Sequence, residues 1–437
     1  MIKKLGTGNH GQVYAVDIAK KLKALKTNKE IIKSLGFDNI NELDITLRLR
    51  HPYINQLLDF RINKGSYIFL YPIASGTLEK IEGKPNSLKY INQLLIGLNY
   101  IHHRDIINAD IKPENILYFS DVDIVKYNDF GSSIINDIVF KNKFTGTLGF
   151  SAPETLLNNK IVKKSDVWSL GLSILFVLYQ LEPQKRAIKF FIEPFEQYKP
   201  DDILRNLRKY NDNYLSNLSY QITEALKTVK DEIIKSLLKN MLRIKYKERK
   251  SVEELLKLEI FNEFRADNEE ILKFYPGCNI RLEYLTYYNI KEQYDNAYNI
   301  FNLCKNYFKE SIRIMWSIFN GIDIFNELIT KKQLETEKIS YFAISSVIVS
   351  LKLSSYFNNS IYEKIYNSVE INEEIYEKTE YSLLKAINYK VYRKNIYSYL
   401  LKNHKDKINI EKLFNFVTSI NFEGELSEFV SKYLSIE

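Results

Sequence analysis

Residues 108–115 read Asn-Ala-Asp-Ile-Lys-Pro-Glu-Asn, and fourteen positions past Asn115 stands Asp129-Phe130-Gly131. Each polar cluster borders a short apolar run, Ile106-Ile107 before the first and Ile116 to Phe119 after it. Phosphoryl transfer from magnesium-bound ATP asks few groups of a protein. It uses a carboxylate to receive the acceptor hydroxyl's proton, a cation beside the moving phosphoryl group, and oxygen ligands for the metal. Asp110, Lys112, Asn115 and Asp129 supply those types in that order.

A second phosphate-handling feature opens the chain. Leu5-Gly6-Thr7-Gly8-Asn9-His10-Gly11-Gln12-Val13 is a G-x-G-x-x-G pattern, and glycines there let backbone amides approach phosphates with no Cβ in the way. The pattern also occurs in dinucleotide sites, where a helix follows the glycines. Here the apolar run Val13 to Ile18 predicts a hairpin instead. A further strand, Leu22 to Lys26, places Ala24 and Lys26 on one face by alternation.

The spacing from Asp110 to Asp129 resembles the catalytic loop and Asp-Phe-Gly of eukaryotic protein kinases. Other motifs join it in the order of that family, from residue 1 to about 263. The resemblance implies a bilobal α+β fold with a small β-rich lobe and a helical lobe. It implies ATP and Mg2+ as cofactors, with Asn115 and Asp129 as metal ligands. Leu5, Gly6, Gly8, Gly11, Val13, Ala24, Lys26, Ala74 and Leu117 would contact the nucleotide, and Glu42 would pair with Lys26. Tyr71 would guard the back of the pocket, and Pro72 to Ala74 would form the adenine hinge. Thr147, in Thr145-Gly146-Thr147-Leu148-Gly149-Phe150-Ser151-Ala152-Pro153-Glu154, matches the threonine that bonds the catalytic Asp and Lys. With Lys112 it points to Ser and Thr hydroxyls of a protein substrate as acceptors. Glu154 with Arg249 matches a buried ion pair, and Asp166 matches the acid that braces the catalytic loop.

Two departures matter. The family's His-Arg-Asp is here Asn108-Ala109-Asp110, so the arginine that meets activation-loop phosphate is missing, and phosphate on Thr145, Ser132 or Ser133 has less to dock against. The tripeptide His103-Arg104-Asp105 does appear, five residues early, but no Lys-Pro-x-Asn run follows it in register. Asp105 therefore reads as an ordinary loop acid before a short strand.

After residue 263 the chain reads as a linker (264–285), an all-α domain (286–395) and a helical extension of one or two helices (396–437). Amphipathic segments fall near 291–310, 312–330, 338–356, 361–369 and 372–388. Phe342 to Leu351 is apolar or small on every side, which predicts a central helix. Lys352 ends that helix and Glu380 follows 28 residues on, an arrangement that resembles a cyclin box. The resemblance implies an intramolecular contact in which Lys352 and Glu380 grip the helix of Glu42 and activate the kinase in cis. A generic bundle that docks a substrate or another kinase, and a non-catalytic scaffold, remain alternatives.

With 437 residues the chain can hold two or three domains, and 45% hydrophobic with 27% charged residues places it among globular proteins. No apolar run is long enough to span a bilayer, and no secretory core opens the chain. The two cysteines, Cys278 and Cys304, lack metal-ligand spacing. An intracellular protein, cytoplasmic or nuclear, without membrane or nucleic-acid partners is the expectation. The net charge of +8 belongs to the first 263 residues without any long basic run.

Overall fold

β-branched and aromatic residues alternating with lysines form the strands near the N-terminus, and longer periodic segments form the helices that make up most of the rest. The computed structural model describes residues 3–8, 11–18, 21–27, 37–63, 66–81, 87–135, 144–191, 198–274, 284–308, 312–353, 373–389, 391, 395–404 and 408–435. The chain forms two compact units, Met1–Lys33 with Ile45–Asn279, and Ser34–Asp44 with Ile280–Glu437.

In the first unit, strands β1 (Lys3–Gly8), β2 (Gly11–Ile18), β3 (Lys21–Thr27), β4 (Asp59–Asn63) and β5 (Ser66–Pro72) form an antiparallel sheet in the order β1-β2-β3-β5-β4. Gly8 pairs with Gly11, so the glycine pattern opens directly into a hairpin and no helix follows it. Ala24 pairs with Tyr71 and Lys26 with Phe69, which aligns the third strand with the hinge strand. Pro72, lacking an N–H, sits at the strand's last position, where the ladder loses least.

Two long helices carry the rest of this unit. Helix α2 (Ser87–His103) is buried from Tyr90 through His102, and helix α4 (Lys163–Tyr179) from Ser165 through Leu175. Between them short strands β7 (Ile106–Ile107), β8 (Ile116–Phe119), β9 (Ile124–Tyr127) and β10 (Ile134–Ile135) pair as β6-β8-β9, with β6 at Gly76–Thr77, and as β10-β7. The catalytic-type loop 108–115 thus leaves β7 and enters β8, and Asp129 leaves β9. Both loops are anchored at each end by strand pairing. Helices α3 (Pro153–Asn158), α5 (Pro183–Phe191), α6 (Pro200–Lys209), α7 (Asn211–Thr228), α8 (Glu232–Met241) and α9 (Val252–Leu256) follow. The α9 start is a reciprocal cap between Ser251 and Glu254.

The stretch read as a linker from residue 264 begins instead as helix α10 (Arg265–Phe274). Its Glu-Glu-Ile-Leu-Lys run favours helix, and Asn268 exchanges two amide hydrogen bonds of 2.9 Å with Asn92 inside α2. Both amides are buried, so each satisfies the other where water does not reach.

The second unit is a helical bundle with one small sheet. Helix α1 (Phe37–Arg48) contributes its residues up to Asp44 to it. Strand β11 (Tyr284–Tyr287) pairs antiparallel with β12 (Phe422–Glu425), and helices α11 (Ile290–Gln293), α12 (Asp295–Phe308), α13 (Ile312–Thr330) and α14 (Ile339–Leu353) follow β11. Helices over Glu373–Ala386, Ile396–Asn403, Ile410–Ser419 and Leu426–Leu434 complete it. The C-terminal extension therefore carries three helices, not one or two; Asn409 caps the start of the second, its side chain accepting the Lys412 N–H. As the sequence predicts, α14 is buried on every side from Phe342 to Lys352, packed by α12, α13 and Glu373–Ala386. Two of its serines return their hydroxyls to the helix backbone, Ser346 to Ala343 O at 2.7 Å and Ser350 to Ser346 O at 2.7 Å. The expected segment 361–369 lies outside the described residues.

Candidate active site

Asp110 is the centre of a closed hydrogen-bond cluster. The Thr147 hydroxyl donates to its Oδ1 at 2.8 Å, and Lys112 donates to that same hydroxyl at 2.8 Å. Lys112 Nζ also stands 3.0 Å from Asp110 Oδ2, and the Asn115 amide donates to Oδ2 at 3.0 Å and to the Asp110 carbonyl at 2.9 Å. Asp110, Lys112 and Asn115 are half-buried, so the cluster is held from within and still open to a reactant. A one-hydroxyl bridge between a carboxylate and an ammonium fixes both side chains in one geometry, which a proton acceptor and a neighbouring cation require.

The loop beneath it is braced. Asp166, fully buried at the start of α4, accepts the backbone N–H of Asn108 at 2.8 Å, that of Ala109 at 2.9 Å, and His102 Nε2 at 2.8 Å. The Asn108 side chain accepts the Asp110 N–H at 3.1 Å, and the Ser133 hydroxyl donates to the Asn108 carbonyl at 3.0 Å. Ala109 adopts φ 64°, a left-handed conformation that costs a residue with a Cβ on the order of 1 kcal/mol and persists here because its neighbours impose it. Its methyl packs on the buried cluster of Ile107, Ile134 and Ile161. Where the resemblance expects an arginine, the loop thus presents an apolar contact.

Gly146, at φ 104°, approaches this loop so closely that a Cβ there would lie 2.6 Å from the Ala109 carbonyl and 2.9 Å from Ser151 Oγ. The turn beyond it is pinned by Gln184, whose amide donates to the carbonyls of Leu148 at 2.6 Å and Ser151 at 2.8 Å while its oxygen accepts Trp168 Nε1 at 3.0 Å. Arg249, with no exposed surface, holds Glu154 through bonds of 2.9 and 3.2 Å.

The amide nitrogen of Asn115 is spent on Asp110, so its oxygen is the atom left to ligate a metal. Asp129, at φ 61°, keeps a half-buried carboxylate whose Oδ1 accepts Gly131 N–H at 3.2 Å. Two oxygen donors on adjoining loops fit a hard cation such as Mg2+, which takes few protein ligands and relies on phosphates and water for the rest. The loops are tied together, Asn128 N donating to the Asn115 carbonyl at 2.9 Å and the Asn55 amide to Asn128 Oδ1 at 3.0 Å.

For the nucleotide-type residues, the backbones of Leu5, Gly6, Gly8, Gly11, Ala24 and Lys26 lie on β1 to β3, and their side chains fall outside the described residues. The expected pair of Lys26 with Glu42 thus lies outside the described residues; Glu42 itself is buried. Val13, Ala74 and Leu117 are half-buried, and Leu117 lies opposite Thr77 and Lys126 in the small sheet. Ser132 and Ser133 are buried, which makes them poor phosphate acceptors, whereas Thr145 is half-buried. Asp105 pairs with Lys163 at 2.7 Å. Cys304 is buried, and burial pushes its thiol up to about 12, so it is inert at neutral pH. In the second unit Lys352 Nζ lies 2.6 Å from Glu380 Oε1, both buried, and the Tyr376 hydroxyl donates to the other carboxylate oxygen.

Sequence reasoning did not single out His102 or Gln184, and it named Ser133 only as a site for phosphate, not as a brace of the loop. Each acts through a bond to backbone or to a residue far along the chain, and no local pattern marks it.

A protein-family profile described as protein kinase domain matches residues 1–261. The chain is 31% identical over 230 residues to an Aurora kinase of Candida glabrata, across 50% of this chain and 61% of that protein. It is 31% identical over 192 residues to a calcium/calmodulin-dependent protein kinase type 1 of Macrobrachium nipponense, across 41% and 56%. It is 30% identical over 311 residues to calcium-dependent protein kinase 5 of Plasmodium berghei, across 64% and 50%. The chain spans between half and 61% of the length of these relatives. Among the described residues, no helix is long and apolar enough to cross a membrane.

Proposed function

The chain belongs to the protein kinase family, and we propose that it is of the serine/threonine type, phosphorylating Ser and Thr hydroxyls of a protein acceptor using ATP. The observation that carries this is the Thr147 hydroxyl bridging Asp110 and Lys112 at 2.8 Å on each side. Bound with magnesium, ATP supplies the phosphoryl group and the metal offsets its charge; Asn115 and Asp129 would hold that metal. Asp110 orients the acceptor hydroxyl and receives its proton. Lys112 sets a positive charge beside the cluster, and Thr147 keeps the two from drifting apart. Asp166 holds the loop's backbone so that this geometry exists before a reactant arrives. The test is transfer of labelled phosphate by the full chain to peptides that differ only in carrying Ser, Thr or Tyr. Transfer to Ser and Thr and not Tyr is expected; transfer to Tyr alone would overturn the acceptor assignment.

Control of the site is proposed to lie in the cyclin-box-like second unit, acting in cis. Two observations support the reading. Ala109 offers no guanidinium to an activation-segment phosphate. The residues Phe37–Asp44, which include Glu42, pack within the second unit, where the buried Asp44 carboxylate accepts the Val391 N–H at 2.7 Å. A C-terminal unit that fixes this stretch of α1 would present Glu42 to Lys26 without a separate activator, at the high effective concentration of a tethered module. Replacing Lys352 and Glu380 together by Met and Leu tests it. Lower turnover in a folded double variant is expected; unchanged turnover would point to a docking role for the bundle instead.

A further inference from the structure

Helices α7 and α8 and the segment that follows them line an open groove of about 920 Å3 that contains none of the catalytic residues. Its origin is visible in the sequence. On the face that α7 turns to α8, Ser216, Ser219 and Thr223 occupy positions where larger apolar side chains would have closed the gap. Ile222, Leu226 and Leu242 are left as an apolar floor.

The rim is basic. Lys227 is paired with Glu224 at 2.6 Å, Lys235 with Glu232 at 2.8 Å, and Lys245 with Glu248 at 3.6 Å. Lys239 and Arg243, both exposed, have no ion pair among the described residues. The Arg243 backbone is anchored, because its carbonyl accepts Arg249 Nε at 3.1 Å and Nη2 at 2.9 Å. Two cations without ion-pair partners among the described residues, beside an apolar floor, form a surface that suits a ligand with both acidic and apolar groups.

We infer that this groove docks a short acidic segment of the protein acceptor, with one apolar side chain on the floor and carboxylates meeting Lys239 and Arg243. The inference rests on the proposed use of a polypeptide acceptor. The charge pattern selects this occupant: the carboxylates of Glu224, Glu232 and Glu248 repel a long polyanion, while two unpaired cations suit a segment with a few acids. Because the groove lies outside the reacting cluster, occupancy should lower KM and leave kcat alone.

The probe is a fluorescein-labelled peptide with a Leu-Phe core flanked by Asp on both sides, titrated into the full chain by anisotropy. A control peptide carries Asn in place of Asp. Lys239→Glu/Arg243→Glu, both surface changes, should weaken probe binding roughly ten-fold, as added salt also does. Fusing the probe segment to a Ser/Thr acceptor peptide should lower KM several-fold at constant kcat, and the double variant should erase that gain. Equal binding by variant and wild type, equal binding of the Asn control, or binding only to anionic vesicles would overturn the proposal. The anisotropy arm reads even if phosphoryl transfer fails, so failure of the docking and failure of the kinase reading stay distinct.

Discussion

Lys112 stands 3.0 Å from Asp110 in the first unit, and Lys352 stands 2.6 Å from Glu380 in the second. The chemical types are the same and the surroundings are opposite. Side-chain exposure is 18% and 10% in the first pair but 3% and 3% in the second. The first pair shares its charge with a hydroxyl and an amide and keeps contact with solvent, so a reactant can reach it. The second is sealed, with a tyrosine hydroxyl satisfying the remaining carboxylate oxygen. Sealing charges away from water costs several kcal/mol per ion before their attraction offsets it. The first pair should therefore act on the chemical step directly, and the second on stability in addition to its proposed part in control.

Asp110→Asn should produce the largest effect on the rate side. Loss of the proton acceptor, with shape retained, lowers kcat by about 10²- to 10⁴-fold and leaves the melting temperature nearly unchanged. On the stability side, Lys352→Met strands the buried Glu380 carboxylate and should cost about 3–5 kcal/mol in chemical denaturation, whereas the double change to Met and Leu should be near neutral. If Lys352→Met proved harmless to stability, the contrast between the two pairs would collapse.

Thr147→Val sharpens the first half of the contrast. It removes the hydroxyl that joins Asp110 to Lys112 and should lower kcat roughly ten- to a hundred-fold, the equivalent of ~1.5–3 kcal/mol for a hydrogen bond to a charged group. Acid titration addresses stability in the first unit. His51 is buried, stacked 4.8 Å from Tyr100, with Nδ1 accepting the Tyr53 N–H, and burial lowers its pKa from 6.5 to about 3. The folded protein holds it neutral while the unfolded chain takes up a proton below pH 6.5. Its stabilising effect is complete above that value and is lost as pH falls toward 3. Between pH 7 and 5 the loss is about 2 kcal/mol, measurable by urea denaturation and removed in His51→Gln.

These residues also show which parts of the molecule were legible beforehand. Asp110, Lys112, Asn115 and Asp129 could be read because loop chemistry is written in contiguous residues bounded by apolar strands. Thr147 was legible through its motif, and the central position of α14 through its all-round apolarity. What escaped was held by partners far apart in sequence. Asn92 meets Asn268 across the first unit, Asp44 meets the backbone of Val391 in the second, and β11 meets β12 across more than a hundred residues. A backbone amide or a paired asparagine has no side-chain signature, so helix α10 read as a linker and Asp44 as an unremarked helix acid.

Asp105 provides the smallest effect and a direct check on register. It sits one strand before Asp110, in the tripeptide His103-Arg104-Asp105, and pairs with Lys163 at 2.7 Å where the side chains are 24% and 35% exposed. An ion pair that solvated contributes only about 0.2–1 kcal/mol. Its φ of 54° is one that asparagine tolerates, so Asp105→Asn leaves the backbone unstrained. The expected outcome is a loss of stability under about 1 kcal/mol with kcat within roughly two-fold of wild type, since no reacting group is touched. A kcat loss rivalling that of Asp110→Asn would move the proton acceptor to Asp105. The Thr147 bridge to Asp110 would then be a structural contact, and the contrast between the two lysine–carboxylate pairs would lose its catalytic half.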